Sequence, residues 1–170
     1  MIDKIMIKRH IVISPFEEVE LNKKQILDQK KQLLRQMRKH VYCGLMPSKI
    51  SGVGVFTIRD IPAGIDPFQE PEDIKWIPFS KKELTKIHPN VLQMIRELYV
   101  FSDGAYWIPV QCIQTFCIVQ FLNHSKNPNL TIDKDGEIIV TKRKIKEGEE
   151  LTVNYRSYDD EAEEKIKQKN

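Results

Sequence analysis

Apolar positions near the start of the chain fall on a helical stripe. Ile26, Leu27, Leu33, Leu34, Met37 and Val41 recur at spacings of three, four and seven within a stretch free of Gly and Pro. That spacing predicts a helix over Glu17 to Val41. Ser14-Pro15 precedes it and Glu17 and Glu18 fall in its first turn, a reasonable helix start. After Tyr42 the pattern changes to short β-type runs separated by turn residues: Val53 to Ile58, Tyr106 to Val110, Leu130 to Ile132, Ile138 to Thr141 and Leu151 to Asn154. Asp135-Gly136 predicts a hairpin between two of these runs. Ile61-Pro62-Ala63-Gly64 turns the chain after the first strand, and Lys146-Glu147-Gly148-Glu149 punctuates the last pair. Ser80 to Tyr99 reads as helix, interrupted at His88-Pro89. The expectation is a mostly-β α+β core with short helices inserted and a helix ahead of it.

Composition narrows the classes. At 170 residues, with 41% hydrophobic and 30% charged residues, the chain suits one domain, or one domain with a helical appendage. No run approaches the roughly 18 apolar residues that a membrane-spanning helix requires. The first ten residues are broken by charges too often for a secretory signal. Cys43, Cys112 and Cys117 form no C-x-x-C pair, so neither a zinc ribbon nor a disulfide framework is supported. An intracellular setting, cytoplasmic or nuclear, is the simplest expectation.

The net charge of +3 is unevenly placed. From Leu21 to His40, Lys23, Lys24, Lys30, Lys31, Arg35, Arg38 and Lys39 stand against the single acid Asp28, whereas Asp159, Asp160, Glu161, Glu163 and Glu164 crowd the tail. A basic helix suits nucleic acid or an acidic protein surface, and a solvated helix face is the plainer reading. No nucleic-acid reading motif accompanies the charge.

Three segments carry the candidate chemistry. In Lys49-Ile50-Ser51-Gly52-Val53-Gly54-Val55-Phe56, two glycines flank one residue just ahead of a strand, which lets backbone approach a ligand closely. A tight turn opening a strand would look the same. The third glycine and following helix of a dinucleotide fingerprint are missing, as is the Lys-Ser/Thr of a phosphate loop. Phe121-Leu122-Asn123-His124-Ser125-Lys126-Asn127-Pro128-Asn129 gathers polar turn residues after an apolar run. Buried Asn and His are costly without partners, so this cluster should hold either a loop or a ligand. No Gly-x-Ser-x-Gly nucleophile turn supports a hydrolase. The third segment, Glu150-Leu151-Thr152-Val153-Asn154-Tyr155, is a strand ending in tyrosine.

In this order and spacing the three segments resemble the SET-domain family of protein lysine methyltransferases. Phe121 to Asn129 is similar to the family's Asn-His-Ser-x-x-Pro-Asn segment, and Glu150 to Tyr155 to its Glu-Leu-Thr-x-x-Tyr segment. Gly64 and Gly148 stand where the family commonly has glycine, and the likeness runs from about Met46 to Tyr158.

The resemblance implies a fold of short β-sheets with a pseudoknot near the C-terminus. It implies transfer of a methyl group from S-adenosylmethionine to a lysine side chain of a protein substrate. Ser51, Gly52, Val53 and Gly54, with Asn123 and His124, would hold the cofactor. Tyr155 would be the catalytic tyrosine, and Tyr106 and Tyr158 would line the lysine channel. The family's zinc-binding cysteines have no counterpart, since Lys126 follows Ser125 and no cysteine follows Cys117, so no metal is expected. Residues 1–41 would be an accessory segment that packs on the core or on a second subunit of a homodimer. Residues 42–158 would be the SET domain, and 159–170 a charged tail able to close the cofactor pocket. The alternative is a SET-like module that binds or scaffolds without catalysis.

Overall fold

The computed structural model describes residues 23–68, 75–110, 116–133 and 138–168. The expected helix start at Ser14 to Glu18, the Asp135-Gly136 turn and Cys112 lie outside these residues. The chain divides into two compact units, Met1–Arg35 and Gln36–Asn170.

Helix α1 (Lys23–Lys39) accounts for the described part of the predicted N-terminal helix. In the first unit it carries an exposed i,i+3 ion pair, Asp28 to Lys31 at 3.6 Å, of a kind worth little. Its last turn belongs to the second unit, where the Arg59 guanidinium donates to the carbonyls of Arg38 (2.7 Å) and Met37 (3.2 Å). A cation there satisfies carbonyls that the helix leaves without intrahelical partners.

In the second unit, β1 (Cys43–Pro47), β2 (Val53–Thr57), β6 (Asn123–His124) and β9 (Glu150–Val153) form one sheet in the order β1-β2-β9-β6. β1 and β2, and β2 and β9, pair antiparallel, while β6 pairs parallel with β9, Asn123 opposite Thr152. β3 (Trp76–Ser80), β4 (Phe101–Ser102) and β5 (Ala105–Pro109) make a second sheet, order β3-β5-β4. β7 (Leu130–Ile132) and β8 (Ile139–Thr141) pair antiparallel as a two-stranded ribbon. Mostly strands in small sheets with a few helices, this is the expected α+β, mostly-β architecture.

The predicted helix over Ser80 to Tyr99 is two pieces. A 3₁₀ turn (Glu83–Lys86) precedes α2 (Pro89–Leu98). His88 accepts the Asn90 N–H at 3.3 Å and Pro89 opens the helix, where its missing N–H costs nothing. Helix α3 (Ala162–Gln168) closes the described chain.

Two apolar clusters result. Val55, Ile61, Leu122, Leu130, Ile145, Leu151, Val153 and Tyr155 belong to the larger, which unites β2, β7 and β9. Leu84, Ile95, Tyr99, Tyr106 and Ile108 form the smaller, under α2 and β5. Residues 123–129 are hydrogen-bonded along β9. The Ser125 N–H donates to the Val153 carbonyl (2.9 Å), while the Asn129 side chain donates to the Glu150 carbonyl (2.8 Å) and accepts the Thr152 N–H (2.9 Å).

Candidate functional site

The loop before β2 is shaped by residues distant in sequence. Gly52 has φ +48°, a left-handed conformation that side chains adopt at a cost, and the space beside it is open. Gly54 answers a different need. A Cβ there would collide with the Glu150 carboxylate and stand 3.0 Å from Ser48 Cβ. That carboxylate accepts the Ser48 hydroxyl (2.8 and 2.9 Å) and the Asn123 amide (2.9 Å). The buried Asn123 amide also donates to the carbonyls of Ser51 (3.1 Å) and Val53 (3.4 Å). The three motifs therefore meet: the glycine loop, the Asn-His-Ser segment and the start of β9 share one hydrogen-bonded junction.

His124 lies against the end of β9. Its Nδ1 accepts the Tyr155 N–H at 3.2 Å, and its ring centroid is 5.4 Å from that of Tyr155. Nε2 is buried with no hydrogen-bond partner. Burial, then the Arg156 guanidinium, then Lys126 push the imidazole pKa below its ordinary value, against the opposing pull of Glu163. These effects favour the neutral ring.

Tyr155 is buried, and its hydroxyl donates to the Leu122 carbonyl at 2.6 Å. Tyr158 packs against it edge-on at 6.2 Å. Burial raises the pKa of both phenols well above the usual tyrosine value, with Asp159 adding to each. Both are neutral at physiological pH.

Two cavities adjoin these groups. The smaller, about 320 Å³, is lined by Ser51, Gly52 and Val53 together with Phe121 and Gln168. The larger, about 500 Å³, is lined by Tyr155, Tyr158, Tyr99, Trp76 and Trp107. Glu97, Leu98, Gln120 and Lys165 line both, so the cavities meet at a shared wall. Both volumes suit small ligands or a side chain with its surroundings.

The predicted site residues thus separate. Ser51, Gly52 and Val53 border the smaller cavity, and Tyr155 and Tyr158 the larger. The side chains of Asn123 and Glu150 brace the loop, and neither Asn123 nor His124 is among the residues lining the two cavities. Tyr106 stands apart as well. Its ring is buried in the smaller cluster, 4.7 Å from Phe101, and its hydroxyl donates to the Glu161 carboxylate. Its neighbour Trp107 lines the larger cavity instead. Consecutive strand residues face opposite sides, so which of the two faces the cavity is a matter of pleat parity. Lys165 escaped the sequence reading altogether, although Ala162, Lys165 and Ile166 share the i, i+3, i+4 spacing of a buried face.

A cofactor such as S-adenosylmethionine fits this arrangement. The open face of Gly52 and the adjoining cavity, with apolar Leu98 and Phe121 beside polar Gln120 and Gln168, are what a mixed polar and apolar ligand needs. Among the described residues, no group of three or more His, Cys, Asp or Glu is arranged to hold a metal ion, and no helix is long and apolar enough to cross a membrane.

A family model described as the SET domain matches residues 7–156, beginning well before residue 42. The chain is 30% identical over 136 residues to the histone-lysine N-methyltransferase trr of Drosophila melanogaster. That match covers 75% of this chain but spans only 5% of the length of the curated relative. A solved structure of a proposed histone methyltransferase from Plasmodium falciparum aligns with a TM-score of 0.42 at 16% identity, covering 67% of this chain and 92% of that one.

Proposed function

This chain belongs to the SET-domain family, and from that premise we propose that it transfers a methyl group from S-adenosylmethionine to a lysine side chain of another protein. The observation that carries this reading is the pair of cavities that share a wall. One is bordered by the glycine loop and the other by two neutral tyrosines, as a transfer between two separately bound partners requires.

In this reading the backbone of Ser51, Gly52 and Val53 holds the cofactor, which supplies an electrophilic methyl on a sulfonium. Asn123 and Glu150 keep the loop in shape, and His124 holds the backbone of Tyr155 through Nδ1. The larger cavity admits the target lysine. Trp76, Tyr99 and Trp107 give it aromatic walls, an attraction of about 0.5–2 kcal/mol for an arriving cation. A lysine amine, of ordinary pKa about 10.4, must lose a proton before it attacks, and an apolar cavity disfavours its charged form. Tyr155, the catalytic residue, orients the amine through its hydroxyl oxygen. Alignment of well-positioned reactants can supply about 7–11 kcal/mol of the barrier reduction, so a dedicated base is not needed. Helix α3 closes both cavities through Lys165, and Gln168 adds to the smaller. We assign residues 42–158 to the catalytic domain and 1–41 to an accessory segment.

The test is direct. The full chain is titrated with S-adenosylmethionine by calorimetry and then incubated with methyl-labelled cofactor and a protein extract. Stoichiometric binding and label on protein lysines are expected. A folded chain that binds nothing at millimolar cofactor overturns the proposal, and binding without transfer makes the chain a binding module instead.

A further inference from the structure

Of all the residues lining the two cavities, Lys165 is the one lysine, and it lines both. It reaches that position from α3, the last described helix, with its side chain 8% exposed. Its ammonium donates to Asp159 Oδ2 at 2.5 Å and to the Tyr99 carbonyl at 2.7 Å. Both acceptors also line the larger cavity with Tyr155 and Tyr158. Asp159 is fixed in turn by the Glu161 N–H at 2.9 Å, and α3 is tethered by the Asp160 N–H on the Phe101 carbonyl at 2.9 Å.

A surface tail of this composition has no reason to bury an ammonium, because a buried ion pair recovers its desolvation cost only with good geometry and further hydrogen bonds. Here those conditions are met at the wall where the two cavities join. On the reading proposed above, that wall is where a methyl group and a lysine amine meet. We infer that Lys165 is a methylation site of this chain, modified in place by its own active site.

The balance of the step is simple. The Lys165 Nζ–carbon bond forms as the sulfur–carbon bond of S-adenosylmethionine breaks, and the electron pair of that bond stays on sulfur as a neutral thioether. The ammonium proton leaves to water by way of the Asp159 carboxylate. Nζ must first let go of the Tyr99 carbonyl and of Asp159, so the step is slower than transfer to an unhindered lysine. Its compensation is proximity, since the nucleophile is already tethered at the site.

The experiment uses the full chain with methyl-labelled S-adenosylmethionine, and mass spectrometry of the peptide carrying Lys165. Methyl increments at Lys165 are expected, at a rate per chain that does not change on dilution. They should disappear in Lys165→Arg, which keeps a cation for Asp159. A second readout needs no turnover: S-adenosylhomocysteine, which has no methyl to give, should change the rate at which an amine-acylating reagent modifies Lys165. Cofactor binding is measured by calorimetry on the same sample. Binding with Lys165 unmodified and its acylation rate unchanged overturns this inference and leaves the proposed function standing. A rate proportional to chain concentration, or label on other lysines only, also overturns it. Absence of cofactor binding overturns both.

Discussion

Replacing Asn123 by Ala removes the amide that joins the glycine loop to β9. The amide has two hydrogens and three acceptors: the Glu150 carboxylate at 2.9 Å and the carbonyls of Ser51 and Val53 at 3.1 and 3.4 Å. A hydrogen bond to a charged group contributes about 1.5–3 kcal/mol and a neutral one about 0.5–1.5 kcal/mol. One charged bond plus one shared carbonyl bond gives a loss of about 2–4 kcal/mol. The lower half of that range is expected, because Ser48 Oγ keeps its bonds to Glu150. For a domain of this size each kcal/mol corresponds to about 2–4 °C, so Asn123→Ala should melt about 4–12 °C lower than the parent. Asn123→Asp should fare worse, since it sets a second carboxylate against Glu150 in a buried place. Scanning calorimetry measures both. S-adenosylmethionine affinity, measured well below either transition, should fall because the loop that borders the smaller cavity has lost its brace. Melting of Asn123→Ala within about 1 °C of the parent would refute the bracing argument. Lost affinity at an unchanged melting point would place the amide on the ligand itself.

Tyr155→Phe should lower the methyl-transfer rate by about a hundred- to thousand-fold with cofactor binding largely retained, and full activity in that variant would assign the chemistry to another residue. His124 links stability to pH. Its folded-state pKa lies below the unfolded value of about 6.5, so the neutral ring's contribution is present above that value and is lost as pH falls through the folded one. Melting temperature should therefore drop between about pH 7 and pH 5, with a shallower slope in His124→Gln, and equal slopes would exclude His124 as the source. Elemental analysis of protein purified without chelators should find no stoichiometric zinc, because Lys126 follows Ser125 where a thiolate ligand would be needed.

The segments around Asn123 and Tyr155 stand out in the sequence as a polar cluster after an apolar run and a strand ended by tyrosine, and the roles expected of them rest on the resemblance of their order and spacing to a family. The strands β2, β5, β7, β8 and β9 were likewise legible, each within a residue or two, because runs of β-branched and aromatic residues bounded by turns need no partner to be recognised. β4 and β6, two residues each, carry no period to read. They exist because β5 and β9 offer them a paired edge. β3 contains Pro78, which removes an N–H and argues against a strand, yet at the edge of its sheet that donor is not required.

Tertiary structure decided the rest by setting sides and neighbours. The need for glycine at position 54 arises from the Glu150 carboxylate, brought across when β9 docks beside β2. Trp107 and Tyr106 lie on opposite faces of β5, and which face borders the cavity is set by what packs on each, which the alternation along the strand does not reveal. Lys165 reads as one more charge in a solvated tail until α3 folds its face inward and Asp159 and the Tyr99 carbonyl take up its ammonium. Composition and periodicity determine which residues can be buried. Which of them face one another across a cavity depends on distances between segments far apart in the chain, and those distances exist only once the sheets have paired.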